Sequence, residues 1–163
     1  MNAMKEKRGD LSMSFGMIFS IILIVAIIGV SFYAIKYFLN LGKCTEISLF
    51  YEEFQKEIDK AWNSEITKKN FIGKIPGKIE AVCFHNANAI GTGKEYEALK
   101  DYFVTRGNMF LYPPENSCEQ ASIKAEHLDL SELGWHCFEV RDGKATIPIE
   151  KGSFDALVKI KRQ

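Results

Sequence analysis

Phe15–Ile35 reads FGMIFSIILIVAIIGVSFYAI, 21 residues without a charge. As a helix rising about 1.5 Å per residue it spans roughly 31 Å, the thickness of a bilayer's hydrocarbon core. The charge-free sequence starts earlier, at Leu11, and the only polar members of the dense run are Ser20, Ser31 and Tyr33. The two serines can return their hydroxyls to the helix backbone, and Tyr33 sits near an end, where an amphipathic ring suits the interface. The competing reading is a buried helix of a soluble core. A chain of 163 residues leaves too little sequence to cover such a helix on every side. A cleaved secretory signal fits poorly too, because its apolar region is usually ~7–15 residues long. No small-x-small cleavage site follows, and the run passes straight into Lys36-Tyr37-Phe38-Leu39.

Flanking charge suggests an orientation. Lys5, Lys7 and Arg8 precede the run, and Lys36 and Lys43 follow it, a bias toward a cytoplasmic N-terminus. All four cysteines, Cys44, Cys83, Cys118 and Cys137, come after the membrane segment. An even count in a small domain beyond a membrane predicts two disulfides in an oxidising compartment, with free buried thiols as the alternative. The whole chain carries 21 basic and 21 acidic residues, a balance that argues against a body built to hold nucleic-acid phosphates. Its 47% hydrophobic and 12% aromatic content excludes intrinsic disorder. A mean hydropathy of −0.10 therefore averages two unlike parts. From Asn40 onward there are 17 basic and 19 acidic residues, so the remainder is mildly acidic.

Residues 41–62 predict a second, amphipathic helical stretch. Cys44, Ile47, Tyr51, Phe54, Ile58 and Trp62 recur at spacings of three and four, with Phe50 and Ala61 widening the stripe. No proline interrupts Asn40-Leu41-Gly42, so the reading is one nearly continuous helix, Ser14–Trp62, apolar all round and then one-sided. Lys78–His85 reads as a strand after the Pro76-Gly77 turn, and Lys94–Arg106 as a short helix stopped by Gly107. Met109–Tyr112 reads as a strand ended by Pro113-Pro114, and Ser122–Leu128 as an ambiguous one. Trp135–Arg141 and Lys144–Glu150 flank Asp142-Gly143, a two-residue hairpin signal. Pro148 lacks an N–H and predicts an edge or a bulge there. Phe154–Ile160 closes the chain as a strand, with a short helix as the other reading. The expected fold class is α+β: a long N-terminal helix packed on four to five largely antiparallel strands.

Three disulfide connectivities are possible. Face matching favours Cys44–Cys83, because both lie on apolar faces, and Cys118–Cys137, because both lie in polar surroundings. Gly91-Thr92-Gly93-Lys94 imitates part of a phosphate loop, but Asn88 stands at the first glycine and Glu95 at the Ser/Thr. A flexible turn before a helix is the better reading. Cys83-x-His85 and His136-Cys137 suggest a metal only superficially, since neighbours on a strand point to opposite faces. Glu126, Asp129 and Glu132 read as solvated surface. No catalytic, cofactor or metal residue is expected.

One resemblance follows from the N-terminus. Lys7-Arg8-Gly9-Asp10-Leu11-Ser12-Met13-Ser14, followed at once by the apolar run, resembles the class III signal peptide of archaeal type IV pilin-like proteins. The resemblance implies cleavage by a prepilin peptidase between Gly9 and Asp10. Residues 1–9 are then a leader, 10–39 a transmembrane and assembly helix, and 40–163 an extracytoplasmic head that includes helix 41–62. It implies a subunit, or an accessory subunit, of a surface filament. The partners are membrane lipid, like or related subunits and the peptidase, with no nucleic acid. Helices apolar all round can exchange lipid for one another, and Gly16, Ser20, Ala26 and Gly29 permit close approach. The sequence departs from the family at Ser14, where many members carry Glu as the fifth mature residue. That departure favours a minor subunit, or an anchored protein that stays in the membrane. The alternative function is a single-pass anchored binding domain that does not polymerise.

Overall fold

The computed structural model describes residues 15–162 and divides at Asn40/Leu41 into two compact units. Helix α1, Phe15–Trp62, supplies everything described of the first unit and the opening element of the second. The helical hydrogen bonding runs through Asn40-Leu41-Gly42. The expected cleavage pair Gly9 and Asp10, and Ser14, lie outside the described residues.

The second unit continues with β1 (Thr67–Lys74), β2 (Ala81–His85), α2 (Lys94–Leu99), β3 (Met109–Tyr112), β4 (Ser122–Ile123), β5 (Leu128–Asp129), β6 (Trp135–Arg141), β7 (Lys144–Lys151) and β8 (Val158–Ile160). These eight strands form one sheet in the order β4-β3-β2-β6-β7-β8-β5, with β1 on the flank of β7. The β5·β8 pair is parallel and the other ladders are antiparallel. The α+β class and the helix-on-sheet plan are as expected, with a larger sheet. The apolar stripe of α1 is its buried face: Ile47, Phe50, Tyr51, Phe54, Ile58 and Ala61. It meets Phe71, Val82, Phe84, Phe138, Ile147 and Ile149 from the sheet. Phe54 alone packs its ring 5.2 Å from Phe71 and 5.7 Å from Phe84. Each fully buried side chain of this size contributes roughly 1.5–3 kcal/mol of transfer free energy, before the entropy of ordering it.

The sheet has a second apolar side. All five residues of β2 are buried. Val82 and Phe84 face α1, whereas Ala81 and Cys83 join Leu99 and Phe110 in a smaller cluster on the other side. There α2 and the 3-10 turn Lys100–Thr105 cover the sheet, so the helix expected over Lys94–Arg106 tightens halfway. The turn ends at Arg106, which takes a left-handed φ of 58 one residue before Gly107.

The hairpin is as predicted. Asp142 and Gly143 have φ of 51 and 66, the positive pair a type I′ turn requires. Pro148 behaves differently. It lies inside the sheet, opposite Asn70 of β1. On its other side β6 pairs only with the start of β7, and β8 only with its end. Pro148 falls between the two stretches, where no ladder partner asks for the missing N–H, and its carbonyl accepts from Lys161 N at 3.1 Å.

Strand β1 has no counterpart in the sequence reading. Its burial alternates along its whole length, but the inward positions are Thr67, Lys69, Phe71 and Gly73, of which only Phe71 is a large apolar residue, and the apolar Ile72 faces out. Three lysines on a strand with one paired side are a common guard against edge-to-edge pairing, and they hide the strand's apolar period. Gly73 is needed for packing: a Cβ there would lie 2.6 Å from the Phe50 ring.

Candidate functional site

Two features distinguish this molecule: the bare half of α1 and the covalent stapling of the second unit. In the first unit no side chain of the most apolar window is buried, and its mean hydropathy reaches 2.8. Phe19, Ile24, Val25 and Phe32 are each more than half exposed. Ser20 and Ser31 donate their hydroxyls to Gly16 O and Ile27 O, both at 2.8 Å, as the sequence required of serines in such a helix. A Cβ added at Gly29 would meet nothing within 4 Å, so the chain's own packing does not demand glycine there. By length and composition this segment is able to cross a membrane.

All four cysteines are in disulfides, but the favoured pairing is wrong. The bonds are Cys44–Cys118, with Cα atoms 5.5 Å apart, and Cys83–Cys137, at 3.9 Å. Face matching failed on β2, because a strand buried on both sides offers no single apolar face. Cys83 looks away from α1, into the cluster of Leu99 and Phe110. Its partner is fixed by register, since Cys137 stands directly opposite it on β6. Cys118 sits in a turn where it and Glu119 both have positive φ, at 54 and 65. The loop is held on α1 by Tyr51, whose hydroxyl donates to Gln120 O at 2.7 Å, and by Ser48, 3.1 Å from Gln120 Oε1. That contact brings Cys118 to Cys44. Burial pushes the Tyr51 phenol well above its ordinary value, so it remains a donor. The two closures span 74 and 54 residues. In the chain-entropy account each restricts the unfolded chain by about 4 kcal/mol.

The other candidates divide cleanly. Gly93, with φ 108, is the N-cap of α2, and its neighbours form a turn before a short helix. His85 is buried, stacked 4.1 Å from Phe103 and ringed by Tyr96, Phe110 and Trp135. His127 lies flat on Trp62 at 3.8 Å, with Nδ1 3.1 Å from Asp59 Oδ1. Burial, and to a lesser extent the nearby Arg162 charge, hold His136 below the ordinary histidine value. The structure does not bring the three histidines together. With Cys83 and Cys137 oxidised, neither has a thiolate to offer a metal, and no metal-ligand cluster occurs among the described residues. Glu132 pairs with Lys159 and Lys161, and Asp129 accepts from Ser131 N at 2.9 Å, so both carboxyls are held low by surface partners.

One groove went unnoticed in the sequence. Glu46, Leu49 and Glu53 of α1 form one rim, and Lys74 and Lys144 at the end of the β1·β7 ladder form the other. Phe50 and Ile75 lie on its floor, and it encloses about 250 Å³. Leu49 is 48% exposed there although it lies beside the buried stripe. The signal was present as one leucine off the stripe, but the opposite rim comes from residues far away in sequence.

No protein-family model matches this sequence, and no curated protein or solved structure matches it either.

Proposed function

We propose that this protein is a pilin-like subunit, or an accessory subunit, of an archaeal-type surface filament, anchored by α1 with its head outside the cytoplasm. The carrying observation is the pairing of a helix exposed and apolar all round with a head closed by two disulfides. The first feature needs lipid or like helices, and the second needs an oxidising compartment. The Lys7-Arg8-Gly9 sequence ahead of the helix supports processing between Gly9 and Asp10. In this reading the retained helix first holds the subunit in the membrane and then packs with its neighbours. The alternative, an anchored binding domain that does not assemble, draws support from Ser14, which offers no carboxylate to a neighbour's amino group.

The deciding experiment is to determine the N-terminus of the protein recovered from membranes. A start at Asp10 is expected, and an intact Met1 sinks the pilin-like reading. Replacing Gly9 with a bulky residue is expected to leave the precursor uncut. Electron microscopy of surface fractions then separates a filament subunit from a lone anchor.

A further inference from the structure

Strands β4 and β5 close the path of the sheet and are two residues long each, whereas β1, on the flank of β7, has eight. At about 3.4 Å per residue its outer flank runs for roughly 27 Å. The register decides which backbone groups lie on that flank. Just past the strand, Ile75 N donates to Gly143 O at 2.9 Å, in line with the β1·β7 ladder. Bonded and non-bonded pairs alternate along an antiparallel ladder, so Thr67, Lys69, Phe71 and Gly73 are the residues bonded to β7. Lys68, Asn70, Ile72 and Lys74 turn their N–H and C=O groups outward, where none meets a backbone partner among the described residues. The side chains of the same four face away from α1, with Ile72 63% exposed. Lys68 and Lys74, at the two ends of this row, are in no ion pair among the described residues.

Beside this flank α1 supplies a ledge. Its Glu53, Lys56, Glu57 and Lys60 bound a groove of about 370 Å³ together with Asn70, Phe71 and Ile72. The cations of the ledge are already engaged, Lys56 by Glu52 and Lys60 by Glu57, which also holds Lys69. A strand laid along β1 rests small neutral side chains on their aliphatic stems. On its other face it meets Lys68, Ile72 and Lys74, with Lys144 opposite Lys74 and Glu150 opposite Lys68 across the ladder. Lysines at both ends of the row repel a like edge and attract an acidic one. We propose that β1 is a docking edge for an extended, acidic segment of another protein. The segment adds to the sheet as an antiparallel strand, with carboxylates opposite Lys68 and Lys74 and an apolar side chain opposite Ile72. Those carboxylates stand six residues apart, about 20 Å. The outward N–H and C=O groups hold the segment, and the two lysines set its register. The edge lies within the second unit and does not depend on how the first is used.

The test uses the full chain in nonionic detergent micelles and the end-blocked peptide ETVTTTE, whose outer carboxylates match the two lysines, with KTVTTTK as its counterpart. At low ionic strength the acidic peptide is expected to bind at least about tenfold tighter than the basic one, and Lys68→Glu combined with Lys74→Glu to reverse that order. Hydrogen exchange followed by NMR reads strand addition directly. The amides of Lys68, Asn70, Ile72 and Lys74 should slow on binding, while those of Lys69, Phe71 and Gly73, already bonded to β7, keep their rates. Asn70→Pro removes an outward N–H that bonds nothing in the free chain, so it is expected to abolish binding with the thermal melt unchanged. Equal affinity for the two peptides, or acidic binding without the alternating protection, overturns the proposal. If Asn70→Pro binds the acidic peptide as tightly as the parent chain does, the lysines are a patch for any polyanion, such as dextran sulfate, and not a docking edge.

Discussion

Residues 15–40 and 41–62 belong to one helix and have opposite relations to the rest of the chain. In the first stretch nothing in its apolar window is buried. In the second, six side chains on one stripe are buried and the other faces carry Glu52, Glu53, Lys56 and Lys60. Secondary structure is therefore no guide to what stabilises each part. Residues 41–62 are held by a sheet made of their own chain. Residues 15–40 have no such cover among the described residues, and by length and composition they are able to cross a membrane.

That contrast is easiest to break with matched substitutions. Phe54→Ala should cost the second unit about 3–5 kcal/mol, because Phe54 fills the space between Phe71 and Phe84, and denaturant unfolding measures it. Ile58→Ala belongs in the same class, at about 2–5 kcal/mol, whereas Ile24→Ala should leave the unfolding midpoint of the second unit unchanged. Equal losses for the two isoleucines would contradict the division of labour. Ile24→Arg tests the first stretch from the other side. It should oppose membrane insertion by about 3 kcal/mol, read as a larger extractable fraction at alkaline pH, with the unfolding of the second unit unaffected.

Removing the Cys44–Cys118 bond by double replacement with alanine should cost about 2–4 kcal/mol. Peptide mapping without reduction should recover Cys44 with Cys118 and Cys83 with Cys137, and any other linkage rejects the register described above. Gly73→Ala should cost about 1–3 kcal/mol, since a methyl there must displace the Phe50 ring.

The smallest expected effect is electrostatic. Glu57 accepts hydrogen bonds from Lys60 and then Lys69, which together hold its carboxyl below the ordinary 4.5. A depressed carboxylate contributes stability above its unfolded pKa and loses it as the pH falls through the folded value. The contribution is therefore complete above about pH 4.5 and fades below it. Because the cluster is solvent-facing, Glu57→Gln should lower stability by less than about 1 kcal/mol at neutral pH and by nothing in acid. Urea melts at pH 7 and pH 3 show the difference.

Much of the fold could be read along the chain because its signals are local. A charge-free run of bilayer length, an i, i+3, i+4 stripe and an Asp-Gly turn each depend on residues within a few positions of one another. The helix, its buried face and the hairpin followed directly. Strand β1 did not, because an edge strand carries lysine where an interior one carries valine, so its period was masked. Cys83 was misassigned for a related reason. Alternation places residues on two faces, but only a neighbouring layer decides which face is toward α1, and on β2 both faces are buried.

By itself, then, the sequence determined which helix faces are apolar, that a charge-free run of bilayer length precedes a stretch of mixed polarity, and which cysteines are candidates for bonding. Tertiary structure alone decided the order of the eight strands, the pairing of Cys44 with Cys118 and Cys83 with Cys137, and the groove between α1 and the β6–β7 turn. The physical reason is range. Hydrophobic period and turn chemistry act between neighbours in the chain, whereas register, layer order and rim-to-rim distance arise only when segments tens of residues apart come into contact.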